Sequence, residues 1–93
     1  MPYTYILRCS DGSFYTGSTW NLDKRIGDHM MGVGSKYTRT RRPVELVYME
    51  EYSRIDEAYA REKQIQGWSR KKKEALIEGC PERLVQLARR KAK

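Results

Sequence analysis

The sequence predicts a small α/β protein of the α+β type, with an antiparallel three-stranded sheet flanked by helices in the order β-β-α-β-α-α. Three observations support this prediction. Two short segments rich in aromatic and β-branched residues surround a Ser-Asp-Gly turn, a third such segment begins at Pro43, and the remaining segments carry helix caps and helical periodicity. With 93 residues, of which 39% are hydrophobic, the chain is expected to form one domain around one modest core.

The first half of the chain predicts a hairpin followed by a helix. The strands are "YTYILRC" (3–9) and "SFYTGST" (13–19), and the helix "NLDKRIGDHMM" begins after Asn21, a residue type that caps helix N-termini well. Its periodicity aligns Leu22, Ile26, His29 and Met30 on one apolar stripe. Two glycines, at 32 and 34, are expected to end it.

The second half predicts one strand and a series of helices. The strand covers 43–52, and Ser53 with Asp56 forms a variant capping box for a helix that runs to Gly67. Ser69 caps the next helix, "RKKKEALIE", and Pro81 can begin a last short one. We therefore expect a main unit over 1–80 and a basic helical tail over 81–93 that belongs to the same domain.

Charge and cysteine content narrow the class of partner. Nineteen Lys and Arg residues against twelve Asp and Glu give a formal net charge of +7, which favours nucleic acid over a membrane surface as the partner. The two cysteines have neither metal-site nor redox-motif spacing, and neither a signal-peptide pattern nor a membrane-spanning apolar run is present. These features predict reduced thiols and a cytoplasmic location.

The hairpin turn allows two strand registers. If Asp11-Gly12 forms a two-residue type I′ turn, Tyr5 and Tyr15 fall on opposite faces of the sheet. If Ser10-Asp11-Gly12 is a three-residue loop with Gly12 in the left-handed conformation, Tyr5 pairs with Gly17 and the two tyrosines become diagonal neighbours on one face. In that register Gly17 leaves an empty patch beside them. Turn chemistry alone does not choose between the two.

Two helices each place a charged residue on or beside an apolar stripe. Glu62 lies among Ile55, Ala58, Tyr59 and Ile65 on the later helix, where an ionised carboxylate is costly to bury unless donors or a cation meet it. Arg25 lies at the border of the stripe of the first helix, one turn from His29, the only histidine. A rim ion pair, a snorkelling arginine and a half-buried histidine are the structural alternatives to a functional site.

Taken in order along the chain, these motifs resemble the GIY-YIG nuclease superfamily, and most closely its small stand-alone bacterial members. They are Tyr-x-Tyr-Ile-Leu in the first strand, Phe-Tyr-Thr-Gly-Ser in the second, Asn-Leu-x-x-Arg-x-x-x-His in the first helix and a Glu on a later helix. The similarity extends from about Pro2 to Ile77. Tyr3 and Thr4 replace the Gly and Ile of the GIY element, and Thr16 replaces the Ile of the YIG element.

The resemblance implies a catalytic set made of Tyr5, Tyr15, Arg25, His29 and Glu62. In this interpretation Glu62 holds one Mg²⁺ or Mn²⁺, Arg25 neutralises the scissile phosphate, and one of the two tyrosines orients or deprotonates the attacking water with His29 as a proton relay. Because both tyrosines must then share one face, the resemblance also favours the three-residue loop.

Substrate binding is expected to involve Gly17 and a basic loop. The loop, residues 36–42, contributes Lys36, Tyr37, Arg39, Arg41 and Arg42, with cations for phosphates and one ring for stacking. DNA is favoured over RNA, and a protein partner can supply targeting, whereas the oligomeric state is left open. Two hypotheses follow: a metal-dependent endonuclease acting in repair or recombination, or a nucleic-acid-binding accessory module with weak or no catalysis.

Overall fold

The structure, a computed structural model, describes residues 1–78. The predicted tail over 81–93, its short helix and Cys80 lie outside the described residues. The elements in chain order are β1 (Tyr3–Arg8), β2 (Phe14–Thr19), α1 (Leu22–Met31), α2 (Lys36–Arg39), β3 (Glu45–Glu51), α3 (Ile55–Gln66) and α4 (Arg70–Ile77). Within this range the three strands form one antiparallel sheet in the order β2-β1-β3, which confirms the predicted fold class.

The β1–β2 turn is the three-residue loop. Gly12 has φ +84°, and its N–H donates to the Cys9 carbonyl at 2.9 Å, while the Cys9 N–H donates to the Ser13 carbonyl at 2.9 Å. Asp11 holds the turn from its side chain, because Oδ1 accepts hydrogen bonds from the main chain and the hydroxyl of Ser13. Tyr5 therefore pairs with Gly17, and the register that places both tyrosines on one face is confirmed.

Each face of the sheet has its own apolar cluster, because side chains alternate along β1. Tyr5, Leu7 and Cys9 pack with Val44 on the face that α1 covers through Leu22 and Ile26. Ile6 packs on the opposite face with Ile65 of α3 and Leu76 of α4. The sheet is therefore sandwiched between α1 on one side and α3 and α4 on the other.

Helix α1 follows the sequence prediction except at Met30. Asn21 caps it by accepting from the Lys24 N–H at 3.1 Å, and Gly32, at φ +85°, ends it. His29 is fully buried, whereas Met30 is 53% exposed, so its assignment to the apolar stripe is wrong. The buried face of α1 is turned toward His29, which leaves its neighbour Met30 pointing outward.

Helix α3 begins one residue later than the capping box predicts. Its N-cap is Arg54, which makes no side-chain cap bond, and Asp56 instead accepts from the Arg54 guanidinium at 2.9 Å. The proposed Ser53 cap is therefore wrong, since a local ion pair engages the carboxylate. Tyr59 is 53% exposed and does not belong to the core either, although Ala58 and Ile65 are fully buried as predicted.

A polar clasp, made of Glu50, Arg61, Tyr48 and Tyr52, fastens α3 to β3. The Arg61 guanidinium donates to both Glu50 oxygens, at 2.9 and 3.0 Å, and both tyrosine hydroxyls donate to the same carboxylate. Burial acts to raise the pKa of Glu50, but the hydrogen bonds from Arg61 and the tyrosines outweigh it and leave the pKa below its usual value. The clasp fixes the rotation of α3, and with it the direction of the next side chain, Glu62.

Two further elements complete the description. Ser69 caps α4 as predicted, through a hydrogen bond from the Lys72 N–H. The segment predicted as a basic loop instead starts with a one-turn helix, α2, which Ser35 caps by accepting from the Thr38 N–H at 3.1 Å. A single turn is too short to show the periodicity by which sequence reveals a helix.

Within residues 1–78, none of the helices combines the length and the apolar character that a membrane span requires.

Candidate active site

The side chain of Tyr5 lies directly over Gly17 of the neighbouring strand. A Cβ atom added to Gly17 would stand 2.5 Å from the Tyr5 hydroxyl oxygen and 2.6 Å from Cζ, far inside ordinary contact distance. The Tyr15 ring lies on the same face, with its centroid 6.4 Å from that of Tyr5. The expected empty patch above Gly17 is therefore absent, because the Tyr5 phenol fills it, and Gly17 acts by seating that ring.

A chain of hydrogen bonds runs from Tyr5 through His29 into α2. The Tyr5 hydroxyl lies 2.9 Å from His29 Nε2, and His29 Nδ1 lies 2.8 Å from the Thr38 hydroxyl, which in turn contacts the Ser35 hydroxyl at 2.9 Å. The Arg25 guanidinium, which can only donate, faces the Tyr5 oxygen. Tyr5 is thus assigned as the donor to Nε2, and His29 carries its proton on Nδ1.

The protonation states of these groups follow from burial. Desolvation raises the pKa of Tyr5 to about 12, although the nearby Arg25 guanidinium acts to lower it. Desolvation, followed by the Arg25 charge, lowers the pKa of His29. The interaction with Tyr5 raises the pKa of Arg25. At neutral pH the pair is therefore a neutral phenol and a neutral imidazole beside a permanently charged guanidinium.

Exposure separates the two tyrosines. Tyr5 and His29 are both completely buried, whereas Tyr15 is half-buried. The His29 ring packs edge-on against Tyr15 with their centroids 5.1 Å apart. Tyr15 and Arg25 therefore form the accessible layer of the site, and Tyr5 and His29 form the layer that supports them.

Glu62 approaches the end of β2 from α3, and neutral donors hold it in place. The Ser18 hydroxyl donates to Oε1 at 2.6 Å, and the Gln66 amide donates to Oε2 at 2.8 Å and to the Thr16 carbonyl at 3.3 Å. Lys63 stands further away, with Nζ at 3.8 Å from Oε2. The carboxylate is therefore oriented by hydrogen bonds from neutral groups, and within residues 1–78 its one cationic contact is the long one to Lys63.

This donor set is compatible with Mg²⁺ or Mn²⁺. Each carboxylate oxygen of Glu62 retains a lone pair beyond its one hydrogen bond, and the side chain is 13% exposed. Among residues 1–78 no group of three or more His, Cys, Asp or Glu side chains is placed to hold a metal ion. A Mg²⁺ ion needs only one or two carboxylates when water and substrate phosphate supply its other ligands, whereas a structural Zn²⁺ site needs four protein ligands.

Arg25 and Ser18 border the same open groove at the end of β2. The groove has a volume of about 480 Å³, and Lys24, Trp20 and Asn21 also line it. Because Ser18 holds Glu62, the cation and the carboxylate lie near the same short stretch of strand. The negative charge of Glu62 is also close enough to contribute to the raised pKa of Tyr5.

Some residues of the predicted basic loop, 36–42, form hydrogen bonds within the protein, and others do not. The Arg41 guanidinium lies 3.9 Å above the Tyr37 ring and donates to Asp11 at 3.1 Å, and Arg42 donates to the Met30 and Arg39 carbonyls. Their hydrogen bonds therefore tie α2 to the hairpin turn and to the end of α1. Within residues 1–78, the side chains of two further residues have no hydrogen bond or ion pair, namely Lys36 and Arg39.

Comparison with known proteins identifies the family. The family model described as the GIY-YIG catalytic domain matches residues 1–75. The chain belongs to the GIY-YIG family. A UPF0213 protein of Staphylococcus haemolyticus is 51% identical over 82% of this chain and 93% of its own, and one of Natronomonas pharaonis is 47% identical over 81% and 88%. The family assignment supports a nuclease-like role.

Two solved structures agree with the fold. The solution NMR structure of a UPF0213 protein from Bacillus halodurans has 44% identity and a TM-score of 0.55, and covers 86% of each chain. A second NMR structure, of a protein from E. faecalis, has 37% identity and a TM-score of 0.55, and covers 83% of this chain and 82% of its own.

Several residues of the candidate site were not found from the sequence. Gln66 stands one helical turn after Glu62, and that i, i+4 spacing is a signal that could have revealed it. Ser18 follows Gly17 directly, although its orientation toward α3 depends on tertiary structure. Thr38 and Gly34 have no comparable signal, although a Cβ at Gly34 would stand 2.5 Å from His29 Nδ1.

Proposed function

We propose that the protein is a divalent-metal-dependent endonuclease that hydrolyses phosphodiester bonds in DNA, in repair or recombination. The observation that carries the proposal is that Arg25 lines one groove at the end of β2 together with Ser18, the residue whose hydroxyl holds the carboxylate of Glu62. Phosphodiester hydrolysis needs positive charge beside the phosphoryl oxygens, an oriented water and stabilisation of the leaving oxygen. The Arg25 guanidinium meets the first need, and the oriented carboxylate of Glu62 can hold a metal that meets the last.

Glu62 is the proposed ligand for Mg²⁺ or Mn²⁺. When bound, such a metal polarises the phosphate and stabilises the leaving oxygen. Orienting the metal ligand, binding the phosphate and orienting the water are tasks for side chains of the protein. Ser18 and Gln66 hold the carboxylate of Glu62 in one orientation, since each donates to a different oxygen.

Arg25 is the proposed phosphate ligand, because a planar guanidinium can donate two parallel hydrogen bonds to phosphoryl oxygens. Tyr15, in the accessible layer, is the proposed group that orients the attacking water. Tyr5 is buried and its pKa is raised to about 12, so it stays protonated at neutral pH, and we assign it with His29 to positioning Arg25. Of the two tyrosines that the sequence offers for orienting the water, we therefore propose Tyr15.

DNA is the proposed polyanion, and Lys36 and Arg39 of α2 are the proposed backbone contacts. Both are exposed and lack partners among the described residues, so they are available for phosphates. Arg41, Arg42 and Tyr37 act instead by shaping α2. A partner protein that targets the enzyme to its DNA is part of this proposal.

A second candidate is an accessory module that binds nucleic acid with weak or no catalysis. The complete burial of Tyr5 and His29 favours it, because a satisfied buried pair is also what a purely structural role requires. In that case the groove binds phosphate through Arg25 without cutting it.

Cleavage of supercoiled and of branched DNA with Mg²⁺ or Mn²⁺ tests the proposal. The wild type is expected to nick or cut, and Arg25→Ala and Glu62→Ala are each expected to lose at least about 100-fold in rate, as when one stabiliser of transition-state charge is removed. Cleavage that persists in both variants would point to another site or to contamination. Binding without cleavage in the wild type would favour the accessory module.

A further inference from the structure

Trp20 is the large aromatic residue that this fold leaves most open. Its side chain follows β2 directly and is 63% exposed, although tryptophan normally buries most of its area. In the described part of the chain, no ring or cation stacks on the indole. Tyr37 differs, because Arg41 covers its ring at 3.9 Å and Tyr15 stacks against it. The ring expected from the sequence to stack on a base is therefore occupied, and Trp20 is not.

The position of Trp20 links it to the candidate site. The indole borders the groove of about 480 Å³ that Arg25 and Ser18 also line, and Lys24 lies along the same wall. Lys24 pairs at 3.3 Å with Asp28, the one acidic side chain among the described residues that line the groove, so Arg25 is left as the unneutralised charge there. A ligand that enters this groove thus meets the Arg25 guanidinium and an uncovered aromatic face together.

We propose that Trp20 stacks on an unpaired nucleobase next to the phosphate held by Arg25. This inference rests on the proposed function and names its substrate class. A nucleotide presents an anion and a flat ring side by side, which matches the guanidinium and the indole of this groove. In a continuous duplex both faces of each base are already stacked, so a free face exists only where a base is single-stranded or splayed out. The preferred substrates are therefore forked, flapped or single-stranded DNA.

Binding is measured in EDTA, so that no metal-dependent cleavage takes part. The probe is a forked DNA with 2-aminopurine in one unpaired arm, and its fluorescence reports stacking. Wild-type protein is expected to quench the signal, and Trp20→Ala is expected to bind about 5- to 150-fold more weakly, whereas Trp20→Phe is expected to lose less. The dependence of affinity on salt is expected to stay the same in Trp20→Ala, because no phosphate contact is removed. Met31→Ala, at a residue 75% exposed, is the matched control and is expected to bind normally.

A second probe replaces the unpaired bases of the fork by abasic sites. Wild-type protein is expected to bind this fork about as weakly as Trp20→Ala binds the intact one. Equal wild-type affinity for the intact and abasic forks would overturn the inference. The inference would also be overturned if Trp20→Ala bound DNA with wild-type affinity and sedimented as a monomer while the wild type sedimented as a dimer. In that case a second copy of the chain, and not a base, would cover the indole. Base-dependent quenching without cleavage in Mg²⁺ would refute the proposed nuclease and leave this inference standing.

Discussion

Adding one methyl group at Gly17 should disable the site by displacing Tyr5. In Gly17→Ala the new Cβ would stand 2.5 Å from the Tyr5 hydroxyl, against 3.4–4 Å for ordinary contact, so the ring must move by about 1 Å. Overpacking of this kind costs about 1–3 kcal/mol, and loss of the buried hydrogen bond to His29 adds about 1 kcal/mol. We therefore expect the free energy of unfolding to fall by about 2–4 kcal/mol.

Urea unfolding followed by circular dichroism measures this change, and a cleavage assay on the folded fraction measures its effect on the site. The matched control is Gly27→Ala in α1, where an added Cβ meets no atom within 4 Å. That substitution should stabilise the protein by about 0.5–1 kcal/mol, because glycine is unfavourable inside a helix. A Gly17→Ala protein as stable and as active as the wild type would refute the seating of Tyr5 on Gly17.

Three further predictions concern pH, the clasp and the carboxylate. Burial lowers the pKa of His29 in the folded protein, so below the ordinary histidine pKa of about 6.5 the unfolded chain binds more protons than the folded one. The melting temperature should therefore fall as the pH drops below that value. A fall no larger in the wild type than in His29→Gln would contradict this assignment. Arg61→Ala should lower the free energy of unfolding by about 3 kcal/mol in urea titrations, because it leaves the half-buried Glu50 carboxylate without its cation, and an unchanged midpoint would exclude the clasp as a stabilising element. Ser18→Ala should raise the Mg²⁺ concentration needed for half-maximal cleavage while changing stability by only about 1 kcal/mol, since it frees one Glu62 oxygen from its donor; an unaltered Mg²⁺ dependence would show that Ser18 does not position that oxygen.

Local chemistry made much of the fold predictable. Asn21 and Ser69 are strong N-cap residues, and both cap the helices that they were expected to begin. Their hydrogen bonds connect neighbours in sequence, so the sequence carries the information. The strand register could not be predicted from local chemistry in the same way, because the turn residues were compatible with two loops. The resemblance to a family, and not the chemistry of Gly12, favoured the loop that forms.

Contacts made by tertiary packing could not be predicted in the same way. Periodicity placed Tyr59 in the core, but the clasp around Arg61 sets the rotation of α3 and leaves Tyr59 exposed. Composition predicted that residues 36–42 form a single basic surface, but Arg41 donates a hydrogen bond to Asp11, which is 30 residues away in sequence. Such partners are chosen by the fold, and no local pattern encodes them.

The most direct test of the proposed nuclease is the cleavage rate measured across a titration of Mg²⁺. Glu62→Gln keeps the size of the side chain and one acceptor oxygen but removes its charge, and Glu57→Gln makes the same change at an exposed position on the same helix. We predict that Glu62→Gln stays at background at every Mg²⁺ concentration and that Glu57→Gln cleaves as the wild type does. Wild-type cleavage by Glu62→Gln over the same titration would contradict the assignment of Glu62 as the metal ligand.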